Sequence, residues 1–270
     1  MKTTLSICKT FKPHVVWCAA FLALTIEVNF VLAQNTNDSA TAVGSPPDAS
    51  QFPNLDQLPG KVPPHVWNGL ANAWSQNHAR WKRSATNDVG AVVFLGDSIT
   101  QGWNTLALDF PGMKSANRGI GGDITSGVLY RLQSDVLSLN PSAIVLLIGT
   151  NDVGDGANPE DVAENIRLIL LAIKNFNPNL KVIVCKIMPT EDDQPNVAKI
   201  KQANDFVAQF VKTEPNFVIC DTFGIFLDEQ NHQVAADFKA DHLHLNAAGY
   251  TVWKAALDPI LARLGLEPAK

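Results

Sequence analysis

The sequence predicts an α/β protein built on one doubly wound parallel sheet. Apolar, partly β-branched runs at residues 91–95, 143–148, 181–187 and 217–220 read as strands, and a shorter stretch at 114–117 supplies a fifth. Between them lie stretches whose apolar residues recur about every 3.6 positions, the period of a half-buried helix. Short connections and right-handed crossovers then leave a parallel sheet with helices on both faces. At 270 residues, 46% of them hydrophobic, the chain can bury one sizeable core.

The amino terminus stands apart from that pattern. Lys2, Lys9 and Lys12 precede an almost wholly apolar run at residues 15–26, and Val31-Leu32-Ala33 suits cleavage before Gln34. Residues 1–33 therefore read as a secretory signal peptide, which predicts a secreted or periplasmic protein. A retained membrane anchor is the rival, but Glu27 and Asn29 interrupt the run short of the roughly 20 apolar residues a span needs. No stable membrane insertion is expected once the signal is removed. Residues 34–64, rich in Asn, Ser, Asp, Pro and Gly, form a tether or a segment wrapped on the surface, leaving residues 65–270 as the functional domain. Asn37-Asp38-Ser39 is a glycosylation sequon that matters only in a eukaryotic secretory route. Cys8 and Cys18 leave with the signal, while Cys185 and Cys220 sit in apolar runs and read as buried free thiols, a bridge being the alternative.

Residues 64–83 read as the first helix: Pro64 suits its first turn, and Val66, Leu70, Trp74 and Trp81 fall on one face. Its tryptophans, Trp67, Trp74 and Trp81, are expected to pack it onto the domain rather than to form a ligand platform. The strand at 91–95 then runs into Gly96-Asp97-Ser98, where small and polar residues turn the chain. A hydroxyl at the carboxyl end of a buried parallel strand lies where ligands bind, so Ser98 is a candidate nucleophile as well as a candidate helix cap. Trp103 is placed either to wall a pocket or to fill the core.

Three glycines, Gly119, Gly121 and Gly122, fall within four positions before Asp123, so the backbone there takes positive φ or approaches something closely. It serves either as a tight connection or as a source of an amide donor facing a pocket. The helix at 125–139 follows, with Val128, Leu129, Leu132, Val136 and Leu139 as its stripe. The strand at 143–148 is continuously hydrophobic, as burial on both faces requires, and ends in Gly149-Thr150-Asn151-Asp152. Asn158-Pro159-Glu160-Asp161 starts a helix whose buried face is Val162, Ile166, Ile169, Leu170 and Ile173. The acidic residues from 152 to 161 lack the spacing of a calcium-binding EF-hand loop. Strand 181–187, helix 197–212, strand 217–220 and helix 247–264 complete the alternation.

Before the last helix stands Asp241-His242-Leu243-His244-Leu245-Asn246. An Asp and a His three apart in a turn can share one side of the backbone, with the carboxylate on Nδ1 and Nε2 facing outward. Asp241 and His244 satisfy that spacing, and His242 is the rival imidazole. Asp97, Asp123 and Asp152 are expected to be structural.

Taken in order, Gly96-Asp97-Ser98-Ile99, Asn117 to Asp123, Gly149 to Asp152 and Asp241 to His244 resemble the four sequence blocks of the SGNH hydrolase superfamily, the GDSL esterases and lipases. The run N-R-G-I-G-G-D followed by S-G-V-L-Y-R-L is similar to the subgroup around platelet-activating-factor acetylhydrolases, which also holds bacterial carbohydrate acetylesterase-like members. The resemblance implies a flavodoxin-like three-layer α/β/α sandwich with a five-stranded parallel sheet in order 2-1-3-4-5. It implies Ser98 as nucleophile, His244 as general base and acid, and Asp241 as its orienting partner. The implied oxyanion donors are the Ser98 amide, the Gly122 amide and the Asn151 side-chain amide. No metal and no organic cofactor is implied. G-x-S-x-G is missing, so a nucleophile elbow is not expected.

The expected activity is hydrolysis of small acyl esters, acetyl foremost, on a carbohydrate or similar polar substrate. Deacylation of short-chain phospholipids or lysophospholipids is the alternative, and a non-catalytic binding module on the same fold is a third. A formal charge of −5 without a basic cluster argues against nucleic acid as a partner. Oligomeric state leaves no mark in the sequence.

Overall fold

The computed structural model describes residues 52–190 and 194–266. In chain order its elements are α1 (Leu70–Asp88), β1 (Val92–Gly96), α2 (Ser98–Gln101), α3 (Leu106–Asp109), β2 (Ser115–Gly119), α4 (Thr125–Asp135), β3 (Ala143–Leu147), α5 (Thr150–Gly154), α6 (Pro159–Phe176), β4 (Lys181–Cys185), α7 (Gln194–Val211), β5 (Phe217–Cys220) and α8 (Ala247–Arg263). The five strands are parallel, in the order β2-β1-β3-β4-β5 that the resemblance implies. The chain moves outward from β1 to β2 and then returns to β3 on the far side of β1. The carboxyl ends of β1 and β3 thus flank the point where the winding reverses, which is where open α/β sheets form a crevice.

Alternating side chains divide the interior into two cores. Val93, Leu95, Ile144, Leu146, Val182 and Val184 face one side, closed by Val128, Leu132, Ile166, Ile169 and Ile200 from α4, α6 and α7. Val92, Phe94, Val145, Leu147 and Ile183 face the other, under Trp103, Phe110, Trp253, Leu257 and Leu261. Every residue of β1 and β3 is buried, which accounts for their unbroken apolar runs. Trp103 belongs to the second core: its ring meets Phe94, Phe110 and Trp253, and its Nε1 donates to Asp109 Oδ2 at 2.7 Å. Cys185 and Cys220 lie directly opposite each other on β4 and β5 as buried free thiols.

Several helix boundaries differ from those predicted. The first helix closes at Asp88 rather than at residue 83, and α7 begins at Gln194 rather than at 197. The first helix starts at Leu70, behind Gly69, rather than at Pro64. The preceding segment spends its backbone groups on the domain instead: the Lys61 amide donates to Asn165 Oδ1 at 2.8 Å and the His65 amide to the Asp155 carbonyl at 3.3 Å. The helix predicted at 125–139 ends at Asp135, where Arg118 Nε takes the Asp135 carbonyl at 3.0 Å, and a 3₁₀ turn over Leu137–Leu139 follows. The signal-peptide reading, the sequon and the first part of the 34–64 segment lie outside the described residues. Residues 52–64 run along the domain, with Leu58 buried beside Leu70, Trp74 and Ile124. Among the described residues no helix is long and apolar enough to cross a membrane.

Candidate active site

β1 delivers Ser98 to the crevice through a turn with no room to spare. A Cβ on Gly96 would lie 2.2 Å from the Leu147 carbonyl oxygen, so only glycine lets β1 and β3 stay paired up to that point. Asp97, wholly buried, accepts the Ile99 amide at 2.9 Å and caps α2, whose first residue is Ser98. β3 ends in the same manner: Gly149, at φ +123°, turns the chain into α5, which carries Asn151 in its first turn. The third contributor is the loop after β2, where Gly122 takes φ +76° and the Gly121 amide donates to Gln101 Oε1 at 2.8 Å.

A buried ion pair ties two of these loops together. Arg131, on α4 and fully buried, donates Nε to Asp123 Oδ2 at 2.8 Å and Nη2 to the Gly96 carbonyl at 3.0 Å. One guanidinium therefore spans the turn before Ser98 and the residue after Gly122. Asn151 Nδ2 donates to the Asp123 carbonyl at 2.8 Å, which joins the end of β3 to the same point. The neighbouring Asp152 accepts the Thr125 amide at 3.0 Å and the Thr125 hydroxyl at 2.5 Å. Burial pushes both Asp97 and Asp152 up to about 7. It pushes Asp123 up as well, with Arg131 pulling the other way. Asp123 and Asp152 link the loops through their hydrogen bonds and Asp97 caps α2, in keeping with a structural role.

The imidazole arrives on the loop before α8. His244 Nε2 lies 2.8 Å from Ser98 Oγ, and its Nδ1 lies 2.8 Å from Asp241 Oδ2. The other Asp241 oxygen accepts the His244 amide at 2.9 Å and the Leu243 amide at 3.1 Å. Those bonds, the His244 amide foremost, hold the Asp241 carboxyl well below the usual carboxylate range. An ionised carboxylate can only accept, so Nδ1 carries the ring proton and Nε2 is left to accept the Ser98 hydroxyl. His242, between them at φ +52°, contributes the left-handed step that lets the loop double back. The ring within hydrogen-bond distance of Ser98 is that of His244.

Residues 94–252 match the GDSL-like Lipase/Acylhydrolase family. The chain belongs to that family. It is 30% identical over 208 residues to human platelet-activating factor acetylhydrolase IB subunit alpha1, covering 71% of this chain and 84% of that protein. To the bovine alpha2 subunit it is 32% identical over 188 residues, covering 66% of this chain and 78% of the other. Among solved structures, a GDSL-like lipase from Bacteroides thetaiotaomicron superposes with TM-score 0.61 at 23% identity, covering 70% of this chain and 98% of that one. An acetylxylan esterase from Geobacillus stearothermophilus does so with TM-score 0.54 at 20% identity, covering 68% and 99%. At those identities the two structures speak for the fold alone, while the family places the chain among ester hydrolases.

Within this GDSL hydrolase two parts of the site escaped the sequence reading. Arg131 interrupts an apolar stripe between Val128 and Leu132, and a charge on a buried helix face is the signal that marks it. Gln233, whose Nε2 donates to the Pro189 carbonyl at 2.9 Å and the His242 carbonyl at 2.8 Å, clamps the histidine loop to the loop that follows β4. No local pattern in the sequence announces it.

Proposed function

We propose that this protein is a secreted serine esterase that removes small acyl groups, acetyl foremost, from a polar ester such as an acetylated carbohydrate. The observation that carries the reading is the chain of two 2.8 Å contacts from Ser98 Oγ through the His244 ring to Asp241. In it His244 Nε2 takes the Ser98 proton as Oγ attacks the ester carbonyl. Negative charge then grows on the carbonyl oxygen, where the Ser98 amide, the Gly122 amide and Asn151 Nδ2 serve as donors. An Asn side chain has two N–H groups, and one of them is committed to the Asp123 carbonyl at 2.8 Å. That bond aims the amide and leaves the second hydrogen for the oxyanion. Collapse expels the alcohol, which collects its proton from the His244 imidazolium and leaves an acyl-serine. Water, deprotonated by the same Nε2, attacks in turn and releases the acid and free Ser98. Asp241 keeps the ring oriented and stabilises its charged form.

The acetyl preference is supported by the names of the sequence relatives, the platelet-activating factor acetylhydrolase subunits. Export is supported by the Lys-flanked apolar run and small-residue cleavage site of residues 1–33. The test is hydrolysis of p-nitrophenyl esters of increasing chain length, with a serine-reactive phosphonate as label. Rapid turnover of the acetate, falling as the acyl chain lengthens, and a single adduct on Ser98 are expected, while Asn151→Ala lowers kcat by about 10²- to 10³-fold. Labelling without loss of activity, or a preference for long acyl chains, overturns the reading. Faster cleavage of an acetylated phosphocholine lipid than of acetylated saccharides would move the substrate to the phospholipid class.

A further inference from the structure

We propose that Trp67 is the stacking platform on which the sugar ring bearing the scissile acetyl group rests, an inference that rests on the carbohydrate-esterase reading above. The tryptophans of the amino-terminal segment divide sharply: Trp74 and Trp81 are 2% and 5% exposed, whereas Trp67 is 55% exposed. It stands before α1, in the segment that does not become helix. A large aromatic face left open to water is a feature of recognition surfaces rather than of a folding core.

Its position joins that face to the reacting centre. A Cβ on Gly122 would lie 2.4 Å from Trp67 Cε3, and one on Gly69 would lie 2.1 Å from Cζ2, so the indole is seated against two glycines, at either of which a side chain would displace it. Gly122 is the residue whose amide serves as an oxyanion donor. The adjoining Gly121 would carry its Cβ to 4.0 Å from Ser98 Cβ. The platform and the nucleophile are therefore separated by one short glycine loop.

The segment that presents the ring is fixed in advance. Asn165, 1% exposed, both accepts the Lys61 amide at 2.8 Å and donates to the Lys61 carbonyl at 2.6 Å. The His65 amide bonds Asp155, the Leu70 amide bonds the Trp67 carbonyl at 3.0 Å, and Leu58 is buried beneath. A ring held in place before the ligand arrives loses little freedom on binding. Its openness also selects the ligand. Quaternary ammonium groups are taken up by cages of several aromatic faces. Trp74 and Trp103 each belong to ring clusters, but among the described residues no second aromatic ring lies against Trp67. One flat, open indole suits the apolar C–H face of a pyranose.

The test measures kcat and KM of the mature chain on acetylated xylo-oligosaccharides and on p-nitrophenyl acetate, for wild type, Trp67→Ala and Trp67→Phe. Trp67→Ala is expected to lose about tenfold more kcat/KM on the saccharide than on the small ester, through KM, and Trp67→Phe to recover most of that loss. Binding of the same oligosaccharides to Ser98→Ala, followed calorimetrically, should weaken by a similar factor when Trp67→Ala is added. Equal losses on both substrates would make the ring a mere support for Gly122 and overturn the proposal. So would a KM effect confined to acetylated phosphocholine esters. If wild type cleaves p-nitrophenyl acetate but no acetylated saccharide, it is the carbohydrate reading that fails, a result visible before any variant is made.

Discussion

The two halves of the site are built differently. The nucleophile side, with Ser98, Gly122 and Asn151, sits on strand ends and is braced by Asp97, Asp123, Arg131 and Asp152, all of them 2% exposed or less. The histidine side is a loop closed by one isolated antiparallel bridge, Phe238 to Leu245, with the Lys239 amide donating to the His244 carbonyl at 2.7 Å, and in it the Asp241 and His244 side chains are 49% and 30% exposed. It is held by side-chain bonds to backbone: Asp241 to the amides of 243 and 244, Gln233 to the His242 carbonyl, and Asn246 Nδ2 to the carbonyls of Ala236 and Phe238 at 2.7 and 2.9 Å. On the proposed mechanism, the developing negative charge is met by groups the core holds rigid, while the proton carrier is placed by a cheaper, wetter scaffold. Substitutions on the loop should therefore cost activity without stability, and those beneath the oxyanion donors should cost both.

The largest effect tests the loop. His244→Ala should lower kcat/KM for p-nitrophenyl acetate by on the order of 10⁴- to 10⁶-fold while the denaturant midpoint stays within error of wild type. His242→Ala should lower it less than about tenfold, since its part is to shape the turn. The reverse ranking would put the wrong imidazole at Ser98. A large loss of stability with His244→Ala would erase the contrast between the two sides.

Arg131→Met tests the core side. It strands the Asp123 carboxylate in a fully buried position and frees the Gly96 carbonyl, and removing one partner of such a pair typically costs about 3 to 5 kcal/mol. The loss should appear in chemical denaturation and in kcat together, because the same guanidinium sets the Ser98 and Gly122 loops. Adding Asp123→Asn should restore part of the stability by removing the unpaired charge. Wild-type stability in Arg131→Met would show that the loops stand without the brace.

What the sequence disclosed follows the same division. β1 and β3 were legible because burial on both faces leaves no place for a polar residue, and the strand order followed from the family resemblance. Gly96-Asp97-Ser98 and Gly149 to Asn151 were legible as polar groups at the ends of apolar runs, and Asp241 to His244 as an Asp and a His three apart before a helix, since each is a contiguous block. The parts that escaped depend on partners far away in the chain. The start of α1 was misplaced because the His65 amide is committed to the Asp155 carbonyl, far along the chain, and a local helical pattern cannot register that competitor. Trp67 was grouped with Trp74 and Trp81 as a packing residue, and its exposure ahead of α1 and its seat on Gly122 separate it from them.

The smallest effect probes the buried aspartates through pH. Asp97 and Asp152 are pushed from an ordinary carboxylate value of 3.8 to about 7 by burial, so the folded protein binds their protons more tightly than the unfolded chain does. Their contribution is complete below about 4 and is lost progressively as pH rises toward 7. Asp241 and Glu164 are held low and act with the opposite sign, but below the ordinary carboxylate range and so outside this window. The urea midpoint of the mature chain should therefore fall between pH 4.5 and 7. Asp97→Asn keeps an oxygen for the Ile99 amide and replaces Oδ2, which has no hydrogen-bond partner among the described residues, with a neutral group. It should flatten that fall, and a matching substitution of the exposed Asp241 should not. A midpoint that rises through the same window in wild type would mean that the nucleophile side is wetter than its packing implies, and the contrast with the histidine loop would close.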